Sequence, residues 1–132
     1  MSTIGKLIEF NSPNFPRCVE DDELTNFETM HGYALAKFIG DGLQRKGFGE
    51  VDYLPEDWGW YCQVENEEFN LWYGVCSYDE TEFLVQFHPH KPVIRRWFKK
   101  IDVSERVEAL QAAVFDILAG DADRTMGPKW RD

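Results

Sequence analysis

"WGWYCQVENEEFNLWYGV", residues 58 to 75, decides the fold of this chain. A turn centred on Asn66 and Glu67 sets Val64 against Phe69, Cys62 against Leu71, Trp60 against Tyr73 and Trp58 against Val75. Every pair is apolar or aromatic, and all lie on one face because side chains alternate along a strand. A slip of one residue would send the whole set to the other side. A second turn through "SYDET", centred on Asp79, brings Phe83 to Val75, Val85 to Tyr73 and Phe87 to Leu71. The pattern predicts a three-stranded antiparallel meander with one apolar face, its core formed by Trp60, Cys62, Val64, Phe69, Leu71, Tyr73, Val75, Phe83, Val85 and Phe87. In "LPEDWGW", Pro55 suits a turn, Glu56 and Asp57 its solvated entry, and Gly59 relieves crowding between two indoles.

Outward from the meander, two segments carry helical periodicity. From His31 to Lys46, Leu35, Ile39 and Leu43 recur every four residues with Phe38 alongside, and Gly47 ends the run. Gly40 and Gly42 inside it each cost about 1 kcal/mol relative to Ala, which predicts a close neighbour. Near the other end Asp102 is placed to cap, with Glu105 three residues on. Val103, Val107, Leu110, Val114, Ile117 and Leu118 then form one stripe, closed by Gly120. In "IGKLIEF", Ile4, Leu7 and Phe10 alternate imperfectly with polar or small neighbours, which reads as a first strand, followed by a long acidic connection containing Glu20–Glu23. The expected architecture is a single two-layer α+β domain over residues 1–132. Its antiparallel sheet has four to six strands, with two helices on one face.

Composition narrows the function. With 43% hydrophobic and 29% charged residues the 132-residue chain has the composition of a globular domain. Its net charge of −10 argues against nucleic-acid binding, which needs a basic stripe, and favours association with a basic protein partner. No apolar run approaches the roughly 18 residues of a membrane span. "MSTIGKLIEF" lacks the pattern of a secretory signal, so a cytoplasmic location is expected. Cys18, Cys62 and Cys76, an odd and scattered set, suggest reduced thiols rather than a disulfide framework or zinc ribbon. Nothing in the pattern specifies an oligomeric state.

Candidate chemistry is sparse. Glu56 and Asp57 are adjacent on an extended segment and point opposite ways, unlike a general acid/base pair. His88 and His90 share a face, but a metal site needs three or four ligands, and Cys62 falls on the other side of the sheet. "KGFGE" has no following helix to gather phosphate. No G-x-S-x-G, H-E-x-x-H or G-x-x-x-x-G-K-[ST] motif occurs. No catalytic, cofactor-binding or metal-binding residue is therefore assigned, and the balance leans away from an enzyme. "RRWFKK", residues 95–100, is the one basic cluster and reads as a solvated stretch balanced by surrounding acid.

The second face of the meander carries the most information. The same register puts Tyr61 across from Trp72, Gln86 beside Trp72, Leu84 beside Gly74 and His88 beside Asn70. If both helices cover the first face, these residues form an open, polar surface with an aromatic stripe, the composition of interface hot spots. Tyr61, Trp72, Leu84, Gln86 and His88 are the candidate partner surface.

"SPNFPRCVEDDEL", "PEDWGWYCQVENEEFNLWYG" and "PVIRRWFKKID" before a final helix resemble a group of small uncharacterised bacterial proteins. That group shares an E-D-W-G-W strand entry and a Lys-Pro/Arg-Arg segment. The resemblance implies a bacterial cytosolic α+β protein and brings no catalytic residue with it. The leading expectation is a non-catalytic protein-binding domain, most concretely an acidic immunity- or antitoxin-like inhibitor. The alternative is a small-molecule-binding protein or enzyme using a cleft between the acidic loop and the sheet, gathering Glu20–Glu23, His31 or His88.

Overall fold

The computed structural model describes residues 7–24, 30–67, 69–88, 93–96, 99–102 and 104–131, with residues 88, 93–96 and 99–102 as backbone alone. In chain order the elements are β1 (Leu7–Asn11), a 3-10 turn (Val19–Glu23), α1 (Tyr33–Arg45), β2 (Val51–Glu56), β3 (Gly59–Val64), β4 (Leu71–Ser77) and β5 (Glu82–His88). Then come β6 (Val93–Arg96), β7 (Lys99–Asp102), α2 (Ser104–Ala119) and β8 (Met126–Arg131). Six strands make one antiparallel sheet in the order β2-β3-β4-β5-β1-β8, while β6 and β7 pair with each other. α1 packs on β2, β3 and β4, and α2 lies on β5 and β8 beside α1. This is the expected two-layer α+β architecture.

All ten predicted pegs of the meander are buried against the helices. Their partners differ from the expected ones: Trp60 lies opposite Val75, Cys62 opposite Tyr73 and Val64 opposite Leu71. Likewise Tyr73 faces Phe87, Val75 faces Val85 and Ser77 faces Phe83. Each register is displaced by two residues, which exchanges partners yet keeps every side chain on its face. The turns set the displacement. Asn66 donates from Nδ2 to the Phe69 carbonyl at 3.1 Å, lengthening the first loop. In the second turn Asp79 accepts the N–H groups of Thr81 and Glu82, each at 2.9 Å, which moves its centre to Glu80.

Three other expectations are corrected. In β1 it is Ile8 and Phe10 that point inward, while Leu7 lies on the other face and Ile4 is outside the described residues. "VDYLPE" is strand β2 and not a turn entry; the turn is Asp57–Trp58, and Val51 pairs with Val64 and Tyr53 with Cys62. Gly59 closes it at φ +146°, where an added Cβ would meet the Val75 carbonyl at 2.3 Å, so backbone geometry rather than indole crowding requires glycine. Asp102 ends β7 instead of capping α2, which starts at Ser104, and Val103 lies outside the described residues. Of residues 95–100, Arg95 and Arg96 contribute backbone to β6 and Lys99 and Lys100 to β7, while Trp97 and Phe98 are outside the described residues, as is His90.

The helical glycines have the close neighbours their cost implies. A Cβ at Gly40 would sit 1.8 Å from the Tyr53 hydroxyl, and one at Gly42 would sit 2.8 Å from Ile117 of α2. Beneath α1 the buried Tyr73 hydroxyl donates to the Ala36 carbonyl at 2.8 Å, tying helix to sheet.

The acidic connection is built around one buried carboxylate. Asp21, fully buried, accepts at Oδ1 from the Gly32 N–H (2.9 Å), the Tyr33 N–H (3.0 Å) and Trp60 Nε1 (2.8 Å). Its Oδ2 accepts from the Cys18 N–H at 2.9 Å and from the Cys18 thiol at 3.4 Å. It thereby caps α1 from a distant part of the chain, where the helix dipole favours negative charge. Burial alone would raise its pKa, but the donors outweigh it and hold the carboxyl below the usual value of 3.8.

Both outer strands carry a proline. The Glu65 N–H donates to the Glu50 carbonyl, and in this register that alternation turns the nitrogen of Pro55 to the open side of β2. In β8 the pairing with β1 shifts between Glu9 and Asn11, so Gly127 and Pro128 together oppose Phe10 in a bulge.

Candidate functional site

The second face of the sheet meets neither helix. Asp52, Leu54 and Glu56 of β2, Tyr61 and Gln63 of β3, Trp72 and Cys76 of β4, and Leu84 and Gln86 of β5 are exposed or half-buried. The observed register puts Gln63 beside Trp72, Tyr61 beside Gly74, and Gly74 beside Gln86. Of the candidate surface residues, Tyr61, Trp72, Leu84 and Gln86 share this face; His88 pairs with Trp72 through its backbone, and its side chain lies outside the described residues.

Trp58 is the residue that sequence reasoning misplaced. The sequence pattern pairs it with Val75 on the core side, whereas in the fold it leaves the β2–β3 turn on the second face. Its ring lies 6.1 Å from that of Trp72, and Trp72 lies 4.7 Å from Tyr61. Gly74 makes the seat, since a Cβ there would stand 2.7 Å from the Trp58 ring and 3.0 Å from Trp72. Three aromatic rings therefore tile the β2–β3–β4 side of the face. The signal for this was the alternation of Val51 and Tyr53, which makes "VDYLPE" a strand and moves the turn onto Trp58.

Charge divides the same face. Asp52, Glu56 and Asp57 are exposed around the aromatic rings, whereas Lys129 and Arg131 lie at the β8 edge. Arg131 is paired there with Glu9 at 2.9 Å. Partial burial and then the Glu56 carboxylate push the Tyr61 hydroxyl above its usual value of 10.0, so it stays a neutral donor at physiological pH. Apolar rings, a phenol and three carboxylates form a surface suited to cationic and aromatic side chains of a polypeptide.

A second feature is a cleft of about 780 Å³ at one end of the sheet, within the size range of ligand sites. Pro13, Pro16 and Arg17 line it from the loop after β1, Met30 and His31 from the approach to α1, and Tyr78, Asp79, Glu80 and Thr81 from the β4–β5 turn. His31 is only 6% exposed, its ring edge-on to Phe83 at 5.2 Å, and its Nε2 is buried with no hydrogen-bond partner among the described residues. An unmet buried polar atom of this kind costs about 1–3 kcal/mol. Donation from Thr81 and Glu82 holds the Asp79 carboxyl below 3.8, so it is ionised. Arg17 is engaged by Asp22 at 2.7 Å and by the Met30 carbonyl at 2.5 Å. The cleft gathers His31 with Asp79 and Glu80; the expected acidic run Glu20–Glu23 does not line it.

The cysteines are not activated. Burial, then hydrogen bonding and charge from Asp21, push the Cys18 thiol up to about 11, and burial also raises Cys62 and Cys76. All three are free thiols. Among the described residues no group of three or more His, Cys, Asp or Glu is placed to hold a metal ion, and no helix is long and apolar enough to cross a membrane. No protein-family model, no curated protein and no solved structure matches this chain.

Proposed function

We propose that this chain is a non-catalytic protein-binding domain of a bacterial cytoplasm that engages a basic partner through the open face of its sheet. An immunity- or antitoxin-like inhibitor is the most concrete form of that reading. The observation that carries it is the Trp58–Trp72–Tyr61 tiling, half-buried beside the exposed carboxylates of Asp52, Glu56 and Asp57. Aromatic anchors within a polar rim are what hot spots are made of. The net charge of −10 adds electrostatic steering towards a basic surface. Strand addition is disfavoured as the mode of contact, since both outer strands carry proline.

Affinity capture from a lysate of the source organism, at low and at moderate salt, tests the reading. A basic protein should be retained at low salt, held less well at moderate salt, and lost when Trp58 and Trp72 are both replaced by Ala. Recovery of no protein under either condition, or of a partner indifferent to those two residues, would remove it.

A further inference from the structure

We infer that the anchor taken by the second face of the sheet is an arginine side chain of the partner polypeptide, its guanidinium laid on the Tyr61 ring and held by the Glu56 carboxylate. The inference rests on the reading above and narrows it to one residue type. The contact begins on β2, where Asp52, Leu54 and Glu56 alternate onto the second face and all three are exposed. Leu54, 46% exposed, pairs with Tyr61 across β2 and β3, and Glu56 follows two residues on along the same strand. An outer strand thus offers an apolar side chain between two carboxylates, with the aromatic row of Tyr61, Trp72 and Trp58 beside it. Partial burial first, and then the Glu56 charge, raise the Tyr61 hydroxyl, so this carboxylate acts on this ring.

The spacing of the rings selects the cation. To sandwich a group between two ring faces, the rings must stand about 7 Å apart, twice a carbon contact. Tyr61 and Trp72 lie 4.7 Å apart with 33° between their planes, and Trp72 and Trp58 lie 6.1 Å apart with 39°. The row therefore admits nothing between its members and makes no box around a methylated ammonium. What it offers is outer ring surface, on which a flat group can lie. Guanidinium is planar, weakly hydrated, stacks on aromatic faces and presents a fork of N–H donors to a carboxylate at its edge. A lysine ammonium is a compact, strongly hydrated point charge that gains the attraction without the stack. The methylenes of arginine have Leu54 to rest on. Charge points the same way, since Asp52, Glu56 and Asp57 are exposed about the rings and the chain carries −10.

The test titrates the 15N-labelled full chain with three peptides and follows the indole N–H signals by NMR. The probes are acetyl-Leu-Ala-Arg-Ala-Leu-amide and the same peptide with lysine or citrulline in place of arginine. Trp58 and Trp72 report on the surface, and Trp60, whose indole donates to Asp21 in the core, is the internal reference. The arginine peptide should shift Trp58 and Trp72 saturably, with a dissociation constant on the order of 1 mM, and leave Trp60 in place. Lysine should bind at least about threefold more weakly, and citrulline, which keeps the plane but loses the charge, at least about tenfold. Exposed Glu56→Gln should keep the fold and weaken the arginine peptide by about fivefold, with citrulline unaffected. Lysine or citrulline binding as tightly as arginine, unmoved Trp58 and Trp72, or full affinity in Glu56→Gln would each overturn the proposal. Equal binding of the arginine and lysine peptides, beside a captured basic partner that depends on Trp58 and Trp72, would remove the arginine anchor and leave the reading above intact. A preference for arginine with no protein captured would do the reverse.

Discussion

Asp21 shows how little a residue's class says about its place. In sequence it is one of several acids in a run that reads as a solvated connection, yet it is fully buried and accepts donors from three parts of the chain. Asp21→Asn keeps the shape, removes the charge and turns an amide towards the Cys18 N–H. It should cost about 1.5–3 kcal/mol at pH 7, as hydrogen bonds to charged groups do. The pH dependence has a definite sign. A carboxyl whose folded pKa lies below 3.8 contributes its full stability above that value and loses it as pH falls through the folded pKa. Urea midpoints of parent and Asp21→Asn should therefore differ at pH 7 and converge below pH 3.8; a constant difference would show that the charge is not what matters. Leu71, fully buried at the centre of the sheet, was legible from its periodicity alone. Leu71→Ala should lose about 2–5 kcal/mol in the same measurement, the range for a buried leucine.

Among the elements, the two helices and the meander were readable because period 3.6 and period 2 are properties of the residues themselves. What the pattern left open was pairing. Alternation fixes a face, and any even displacement preserves it, so the choice between Trp60–Tyr73 and Trp60–Val75 fell to turn chemistry. The side chains of Asn66 and Asp79 made that choice through local hydrogen bonds. β2 was missed because Pro55 reads as a breaker, although an outer strand tolerates it on its free side. The α1–sheet contact gives a test at this scale. Gly40→Ala should gain about 1 kcal/mol of helix propensity, but its Cβ would stand 1.8 Å from the Tyr53 hydroxyl. Overpacking of this kind costs about 1–3 kcal/mol, so the net effect should be destabilising, read as a lowered midpoint in urea. A gain in stability would mean that Tyr53 swings aside freely.

At the scale of the whole molecule, one side of the sheet packs on both helices and the other carries the half-buried Trp58, Trp72 and Tyr61 rings. Sequence reading placed Tyr61 and Trp72 on the second face, but not Trp58, whose position depended on where the β2–β3 turn falls. Replacing Trp58 and Trp72 together by Ala should cost the isolated protein about 1–2 kcal/mol, mostly from their mutual packing with Tyr61. Affinity for the captured partner, measured by calorimetry, should fall by about 2 kcal/mol or more, roughly thirtyfold. A large loss of stability with affinity intact in the folded fraction would assign the rings to cohesion as well.

The prolines of β2 and β8 have a consequence for solutions of this protein. A hydrogen-bonded sheet grows like a polymer, by recruiting one more strand at an unfinished margin, and here both margins end in chain stoppers. Pro55 removes a donor where the next strand would dock, and the bulge at Pro128 bends the other margin out of line. Concentrated samples should therefore stay dispersed for long periods despite two unpaired strand margins. Pro55→Thr with Pro128→Thr should shorten the lag before thioflavin-positive fibres form under agitation, because both restored margins become templates. An unchanged lag would assign that protection to the −10 net charge instead.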